Sequence, residues 1–213
     1  MKRESLILEN VTKQYRAGNV VFKDISTRFE PGESVLLTGP NGSGKTTFLK
    51  LLSVNTFPTA GKLFYGDLEI HRKPWRYLKH VGLVHDEESL PQHLSAAELL
   101  EWILRSRSMW DDQSADRISR LYDHLELDEA RYDLIGTYST GMRKKTQIAA
   151  ALICRPPVLI LDEPLRGLDT SATARTLELL REETGRGALI LMASHEHREA
   201  TDWFDKVLNF PLS

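Results

Sequence analysis

The residues best suited to chemistry lie in one glycine-rich stretch of the sequence. Its members, in order, are Gly39, Pro40, Asn41, Gly42, Ser43, Gly44, Lys45, Thr46 and Thr47. The first eight have the spacing Gly, four free positions, Gly, Lys and then Ser or Thr. Apolar residues 34–37 before this stretch predict a buried strand, and residues 47–52 after it predict a helix with one apolar face. A strand, a glycine loop and a helix in this order form the setting in which the pattern binds phosphate groups.

The residue types in the loop match that chemistry. Gly42 and Gly44 leave the backbone free to curl, so that successive N–H groups can point at phosphate oxygens. The helix that begins there adds the positive end of its dipole. Lys45 supplies a full charge for the β- and γ-phosphates, and the Thr46 hydroxyl is placed to bind Mg²⁺. The plainer alternative is a glycine-rich turn with a chance lysine, which the match at every constrained position disfavours.

Two carboxylates end a second apolar run, residues 158–161. The carboxyl ends of parallel strands face the ligand crevice of such a fold, so Asp162 and Glu163 are expected there. Asp162 is suited to hold Mg²⁺ through water, and Glu163 is suited to polarise an attacking water. The alternative is an acidic turn that only ends a strand. His195 ends another apolar strand, where it could contact the γ-phosphate and orient the water, although a lone histidine there is more often structural.

A further anion-binding candidate precedes a predicted helix at residues 140–154. Ser139 reads as the N-cap of this helix, and the backbone of Gly141 can approach an anion at the helix start. An ordinary capped helix is the alternative for this segment. The basic run Arg143-Lys144-Lys145 is expected to form a solvated face.

Composition limits the class of protein. The 213 residues are enough for one large α/β domain, or for a core with a small inserted subdomain. The formal net charge of -2 indicates no electrostatic surface for nucleic acid or an anionic membrane. The single cysteine, Cys154, lies in an apolar run and is expected to be a buried, inert thiol in a reducing compartment. No apolar run approaches the ~20 residues needed to cross a bilayer, so any role at a membrane would require a partner protein.

The remaining pattern predicts the elements that position these residues. Residues 5–9 and 20–26 suggest an antiparallel lead-in sheet, and residues 81–84, 188–193 and 206–210 read as further short strands. A helical pattern covers residues 95–127, where Ser95 and Glu98 form a plausible capping box, and another helix is predicted at residues 171–183. Parallel strands with helices between them and a helical insert predict an α/β fold.

The order of these features gives the sequence a resemblance over nearly its whole length. It resembles the nucleotide-binding subunit of an ABC transporter. Residues 39–46 match the Walker A motif, residues 158–163 match Walker B, and residues 167–169 match the D-loop. Residues 138–142 match the family signature, with Thr140 and Met142 in place of the usual glycine and glutamine. His195 matches the switch histidine, and Tyr15 falls where the family places an aromatic ring that stacks on adenine.

The resemblance implies a fold, a domain organisation and ligands. The fold would be an α/β P-loop NTPase with a RecA-like parallel-sheet core, an N-terminal antiparallel β subdomain and an inserted helical subdomain. Residues 1–213 would form a single ABC ATPase domain, with residues 1–86 and 155–213 in the core and β subdomain and about 87–154 in the helical subdomain. The ligands would be ATP and Mg²⁺. Tyr15 and the glycine loop would hold the nucleotide, Thr46, Asp162 and Asp86 the metal, and Glu163 and His195 would be catalytic.

The resemblance also implies partners. Two copies would form a head-to-tail homodimer around two ATP molecules, with Ser139, Gly141 and Asp169 of one chain completing the site of the other. The dimer would drive transmembrane permease subunits encoded separately, through a groove near residues 86–93. The chain would then be cytoplasmic and peripheral on the inner face of the membrane. Met142 followed by basic residues favours export-type subunits.

One position departs from the family pattern. Where the family has a glutamine after a strand of the form Gly-Tyr-Leu-Pro-Gln, this sequence has Asp86. The departure puts in doubt the contact with Mg²⁺ and water at this residue, but not the ATPase assignment.

Two other classes of function remain open. A soluble ABC ATPase acting on DNA or the ribosome is disfavoured by the single ABC unit, the lack of a long coiled-coil insertion and the mildly acidic charge balance. A P-loop kinase or GTPase is disfavoured by residues 138–142, by the Asp162-Glu163 pair and by the lack of an evident guanine-specific motif.

Overall fold

The computed structural model describes residues 3–16, 18–86, 90–194 and 203–212. In chain order, the strands of this part are β1 (Leu6–Arg16), β2 (Asn19–Phe29), β3 (Ser34–Thr38), β4 (Ala60–Tyr65), β5 (Leu68–Glu69), β6 (Val81–Val84), β7 (Val158–Asp162), β8 (Leu189–Ala193) and β9 (Lys206–Asn209). The helices are α1 (Lys45–Leu52), α2 (Pro74–Tyr77), α3 (Ala96–Ser106), α4 (Ser114–Leu125), α5 (Thr140–Leu152) and α6 (Thr170–Gly185). Short 3-10 turns lie at Leu78–His80 and Ile135–Thr137.

A five-stranded parallel sheet forms the centre of the molecule, in the order β6-β7-β8-β3-β9. Every residue of β7 and β8 is buried, as expected for strands covered on both faces. All five strands run in the same direction, so the loops that follow β3 and β7 emerge at one edge of the sheet. This edge therefore brings the glycine loop and the Asp162-Glu163 pair to the same side.

A second, antiparallel sheet has the strand order β2-β1-β4-β5. Its first two strands are 11 residues each, longer than the predicted residues 5–9 and 20–26. The alternation of apolar inward and polar outward residues in β1 is hard to read in the sequence because Lys13 takes an inward position. Its Nζ donates to Thr56 Oγ1 and Phe57 O, both at 2.8 Å. A register shift between Glu9 and Thr12 also interrupts the pairing of β1 with β4.

Phe48 of α1 joins the two sheets. Its ring is fully buried and lies edge-on to Phe22, Phe29 and Phe210, with ring centroids 5.8, 6.5 and 5.5 Å apart. These contacts tie α1 to β2 of the antiparallel sheet and to the end of β9 in the parallel sheet. The glycine loop at the start of α1 is therefore held between two rigid layers.

Helices α3, α4 and α5 enclose a separate cluster of buried side chains that includes Leu100, Leu104, Tyr122 and Ala149. The capping box at α3 is confirmed: Ser95 accepts from Glu98 N, and the Glu98 carboxylate accepts from Ser95 N. The predicted helical stretch 95–127 divides into α3 and α4, with Ser108 between them in the left-handed region at φ 55°. The segment between the two helices turns the chain back, so that α4 packs on α5.

These observations confirm the α/β fold with a parallel-sheet core, an N-terminal antiparallel sheet and inserted helices. Among the helices that the structure describes, not one is both long enough and apolar enough to cross a bilayer.

Candidate functional site

The glycine loop connects β3 to α1, and its glycines are required by the backbone. Gly39, Gly42 and Gly44 have φ values of 138°, 75° and 108°, in the region that side chains other than glycine rarely adopt. A Cβ atom on Gly39 would lie 2.4 Å from Phe210 O, and one on Gly44 would lie 2.6 Å from Val21 Cγ1. The loop therefore has its curled shape because it lacks side chains at these positions.

Lys45 begins α1 and lies buried under the loop. Its Nζ donates to Gly39 O at 2.8 Å and to Pro40 O at 3.1 Å. Burial lowers the pKa of Lys45, whereas the carboxylates of Glu163 and Asp162 act to raise the same pKa. The Lys45 ammonium is thus held at the meeting point of the glycine loop and the two carboxylates.

Thr46 and Asp162 bring two side-chain oxygen atoms together beside Lys45. Thr46 Oγ1 donates to Asp162 Oδ1 at 3.4 Å, across the gap between α1 and the end of β7. Burial raises the pKa of the Asp162 carboxyl group, and the Thr46 hydrogen bond opposes that rise. A hydroxyl and a carboxylate suit Mg²⁺, which prefers oxygen and keeps several ligands from water and substrate phosphates. In the described part of the chain there is no cluster of three or more His, Cys, Asp or Glu residues that could bind a metal unaided.

Glu163 has an unusual backbone conformation for a residue other than glycine, with φ 49°. Its N–H donates to Ala193 O at 3.0 Å, which ties this turn to the end of the neighbouring strand β8. A left-handed residue of this kind costs roughly 1–2 kcal/mol and often marks a functional position. The turn directs the Glu163 side chain into the same cleft as the glycine loop.

One cleft of about 590 Å³ collects most of the predicted site residues. Its walls are Tyr15, Asn19, Val21, Asn41, Gly42, Ser43, Gly44, Lys45, Thr46, Thr47, Asp86, Glu163 and Arg166. The Tyr15 and Thr47 hydroxyl oxygens are 3.3 Å apart, and Lys13 Nζ lies 4.7 Å from the centre of the exposed Tyr15 ring. Gly39, Pro40 and Asp162 do not line the cleft, but they contact Lys45 and Thr46 directly.

Arg166 is a cleft residue that the sequence analysis missed. Its Nη1 lies 3.0 Å from Asp86 Oδ1 and 3.2 Å from Asp86 Oδ2, and its backbone N–H donates to Glu163 O at 3.3 Å. The signal available in the sequence was a cation three positions after Glu163, immediately before the segment that matches the D-loop. The pairing itself joins residues 80 positions apart, which no local pattern indicates.

The expectation of a solvated basic face at residues 143–145 is wrong for Lys144. This residue is only 2% exposed, and its Nζ donates to His85 O at 3.2 Å and to Asp86 O at 3.5 Å. The start of α5 lies against the loop that follows β6, so the middle residue of the basic run points inward. Lys144 therefore connects α5 to the backbone at Asp86.

The residues predicted to act across a dimer interface, Ser139, Gly141 and Asp169, do not line the cleft. Ser139 is the N-cap of α5, where its Oγ accepts from Met142 N at 3.2 Å, and Asp169 is the N-cap of α6, where its Oδ1 accepts from Ala172 N at 2.8 Å. Both are exposed. A Cβ atom on Gly141 would lie 3.4 Å from Gly167 O, so the starts of α5 and α6 are close together. His195 lies outside the described residues.

Comparison with known proteins finds relatives that are named as ATP-binding proteins. The family model described as ABC transporter matches residues 22–166. The Nod factor export ATP-binding protein I of Cupriavidus metallidurans is 33% identical over 195 residues, which covers 92% of this chain and 64% of the relative. The sulfate/thiosulfate import ATP-binding protein CysA 2 of Agrobacterium fabrum is 31% identical over 204 residues, 94% of this chain and 59% of the relative.

A solved structure of an ATP-binding subunit of an ABC transporter superposes with a TM-score of 0.89 at 25% identity, covering 96% of this chain and 85% of the other. The chain spans between 29% and 64% of the length of the curated relatives it matches. The resemblance found in the sequence is therefore confirmed by both sequence and fold.

Proposed function

The chain belongs to the ABC transporter family, and we propose that it binds ATP with Mg²⁺ in the 590 Å³ cleft and hydrolyses it to drive transport. The observation that carries the proposal is the convergence of Lys45, the Thr46–Asp162 pair and Glu163 at the carboxyl ends of β3 and β7. A backbone cradle, a cation, a pair of oxygen ligands and a carboxylate are the parts that phosphoryl transfer to water requires.

The glycine loop supplies the phosphate contacts. On binding ATP, the Lys45 ammonium exchanges the carbonyl oxygens of Gly39 and Pro40 for oxygens of the β- and γ-phosphates. A charge-assisted bond to an anionic phosphate is stronger than a bond to a neutral carbonyl, which favours this exchange. The same phosphates are bordered by the other cradle residues, which include Asn41 and Ser43. Thr47 lies near the adenine base. Tyr15, at the exposed side of the cleft, is placed to stack on adenine.

The metal ligands proposed in this chain are Thr46 and Asp162, with Asp86 in a supporting position. Mg²⁺, when bound, neutralises part of the negative charge on the phosphates. Asp162 enters this site from the end of β7, and the low solvent exposure of its carboxylate favours pairing with a cation. Asp86 is paired with Arg166 instead, so its carboxylate adds little net charge to the cleft and serves the outer shell of the metal.

Glu163 is the proposed general base. Its backbone is fixed to β8 through Ala193 O, and its side chain shares the cleft with Lys45. From this position the carboxylate can accept a proton from the attacking water while Lys45 stays on the phosphates. We assign His195 to the γ-phosphate and the orientation of the same water.

The positions of Ser139, Gly141 and Asp169 support completion of the site by a second copy. Ser139 and Asp169 are exposed and, with Gly141, lie apart from the residues that line the cleft of their own chain. Backbone N–H groups at the start of α5 suit an anion. We propose that a head-to-tail homodimer forms on ATP binding and places these residues on the ATP held by the other chain.

The permease would dock in a groove between β6, α3 and α5. This groove has a volume of about 460 Å³ and includes the apolar residues Leu78, Val81, Leu83, Leu90, Trp102, Ile103 and Ala150. Trp102 is 62% exposed, a large apolar side chain that a partner helix would cover. We propose separate transmembrane subunits as that partner, with residues 87–154 acting as one helical subdomain and the chain held at the cytoplasmic face of the membrane.

The proposal covers transport in either direction, because relatives of similar identity are named for export and for import. It includes no nucleic-acid partner, in keeping with a formal net charge of -2 for the whole chain.

Glu163→Gln tests the assignment of the base and of the dimer together. Glutamine keeps the shape of the side chain and removes its basicity, so ATP should bind while hydrolysis falls by about 10²-fold or more. We expect this variant to elute as a dimer from a sizing column with Mg-ATP and as a monomer without it. Glu129→Gln, at an exposed position of the helical region, is the matched control and should behave as wild type. Full ATPase activity of Glu163→Gln would contradict the assignment.

A further inference from the structure

Residues 70–80, between β5 and β6, form an exposed basic strip outside the ATP cleft. Arg72, Lys73, Arg76 and Lys79 are exposed, and the segment contains no aspartate or glutamate. Of these four cations, Arg72 is paired, at 3.7 Å, with the Glu69 carboxylate just before the strip. The formal charge of -2 for the whole chain hides this local excess of positive charge.

The strip is firmly attached to the fold. Ile70 and Tyr77 are fully buried, and the Tyr77 ring lies 5.7 Å from that of Tyr65 in the antiparallel sheet. The backbone carbonyl of Lys79 accepts from Arg107 Nη1 at 2.9 Å, which ties the end of the strip to α3. With Ile70 and Tyr77 directed inward, the strip presents its cations on a fixed surface.

Two aromatic rings are exposed together with the cations. Trp75 is 61% exposed, with the Arg76 guanidinium 5.1 Å and the Lys79 ammonium 5.6 Å from its ring centre. Phe57 is 64% exposed, and its ring lies 5.4 Å from that of His71. Exposing two large rings is unfavourable in water unless another surface covers them. Tryptophan beside lysine and arginine is the combination that is enriched where proteins meet lipid headgroups.

The strip adjoins the groove assigned to the permease. Leu78, Val81 and Arg107 line that groove, and Arg107 also contacts the carbonyl of Lys79 at the end of the strip. A permease docked in the groove would therefore bring the strip to the membrane side of the molecule. This step rests on the proposed function, whereas the charge and the exposure of the strip do not.

We propose that residues 70–80, with Phe57, bind anionic lipid headgroups at the membrane surface. Arg72, Lys73, Arg76 and Lys79 would pair with headgroup phosphates, and Trp75 would enter the headgroup layer. The surface thereby orients the ATPase toward the membrane independently of nucleotide.

Vesicle sedimentation with the full chain at low salt tests this surface. We expect binding to phosphatidylcholine vesicles that contain phosphatidylglycerol, no binding to pure phosphatidylcholine, and a steep loss of binding as salt is added. Arg76→Gln/Lys79→Gln should weaken partitioning by about 25-fold, since each cation near an anionic surface contributes roughly fivefold. The matched control is Arg120→Gln/Arg181→Gln, with exposed arginines on α4 and α6, and should partition as wild type.

Tryptophan fluorescence tests the orientation of the strip. The blue shift on binding anionic vesicles should be lost in Trp75→Phe and kept in Trp102→Phe, which alters an exposed tryptophan of the permease groove instead. Equal binding to neutral vesicles, or equal binding by the two double variants, would overturn the proposal. So would a double variant that loses its permease on purification but binds anionic vesicles as wild type does, because the strip would then serve a protein partner. Vesicle binding is measured without nucleotide, so a wild-type chain that binds anionic vesicles but not Mg-ATP would count against the proposed function and not against the lipid surface.

Discussion

Arg166 Nη1 lies 3.0 Å from Asp86 Oδ1, so the carboxylate that stands where the family resemblance places a glutamine has a guanidinium partner at the rim of the cleft proposed to bind ATP. Both side chains are partly exposed, and an ion pair of this kind contributes at most about 1 kcal/mol to stability. Its consequence is electrostatic. Asp86 and Arg166 together add no net charge, like a neutral glutamine, beside the site proposed to hold the ATP polyanion.

Removing Arg166 alone should therefore weaken ATP binding. Arg166→Ala leaves the Asp86 carboxylate unpaired near the phosphates and near Asp162, and we expect a several-fold loss of ATP affinity by calorimetry. Asp86→Gln/Arg166→Ala removes both charges and should recover most of the loss. Arg181→Ala on α6 is the control for loss of one positive charge. Equal affinities for Arg166→Ala and the double variant would show that the pair does not set the charge of the cleft.

Asp86 should matter less for turnover than Glu163. Asp86→Ala should lower the rate of ATP hydrolysis less than Glu163→Gln does, and raise the Mg²⁺ concentration needed for half of the maximal rate. Asp86→Gln should retain substantial activity, because it restores a neutral oxygen ligand. Both quantities are measured by a steady-state ATPase assay at varied Mg²⁺. Unchanged rate and Mg²⁺ dependence in Asp86→Ala would exclude Asp86 from the metal shell.

The shape of the glycine loop should be sensitive to one added methyl group. Gly44→Ala places a Cβ 2.6 Å from Val21 Cγ1 and forces alanine to φ 108°, which should cost at least ~1 kcal/mol and lower Tm by roughly 2–4 °C or more. ATP affinity should fall as well. Gly185→Ala, at the end of α6 with open space around its Cβ, is the control and should keep or slightly raise Tm. If both variants melt and bind alike, the left-handed geometry at Gly44 is not required.

The buried carboxylate of Asp162 should lower the stability of the nucleotide-free protein at neutral pH. Burial raises the pKa of its carboxyl group, so the folded protein holds this proton to a higher pH than the unfolded chain does. As pH rises above about 4, this carboxyl group ionises first in the unfolded chain, so its contribution to the stability of the nucleotide-free protein falls. Asp162→Asn should therefore melt higher than wild type at neutral pH without Mg²⁺, and the difference should shrink toward acid pH. A variant that melts lower at neutral pH would show that the buried carboxylate is stabilising.

The sequence predicted the site best where the chemistry is local. The glycine loop and the Asp162-Glu163 turn each depend on a few consecutive residues, and the structure places both at the carboxyl ends of parallel strands, after β3 and β7. The helix starts at Ser95 and Ser139 were also predictable, because a capping side chain bonds within its own first turn.

The features that the sequence missed depend on distant contacts. Arg166 pairs with Asp86, which lies 80 positions earlier in the sequence. Lys144 is buried because α5 lies on the loop after β6. Lys13 concealed the length of β1 because a lysine at an inward position reads as polar, although its amine bonds to Thr56 and Phe57. In each case the identity of the partner is set by tertiary packing and not by spacing.

Titration of Mg-ATP into the nucleotide-free protein by calorimetry tests the central claim most directly, because it needs no membrane partner. Lys45→Ala removes the cation proposed to contact the β- and γ-phosphates, and a lost charge-assisted bond of about 1.5–3 kcal/mol corresponds to roughly 10–100-fold weaker binding. Lys62→Ala, on the exposed surface of β4, is the matched control and should bind as wild type. An affinity of Lys45→Ala equal to that of wild type would contradict the assignment of this cleft to ATP.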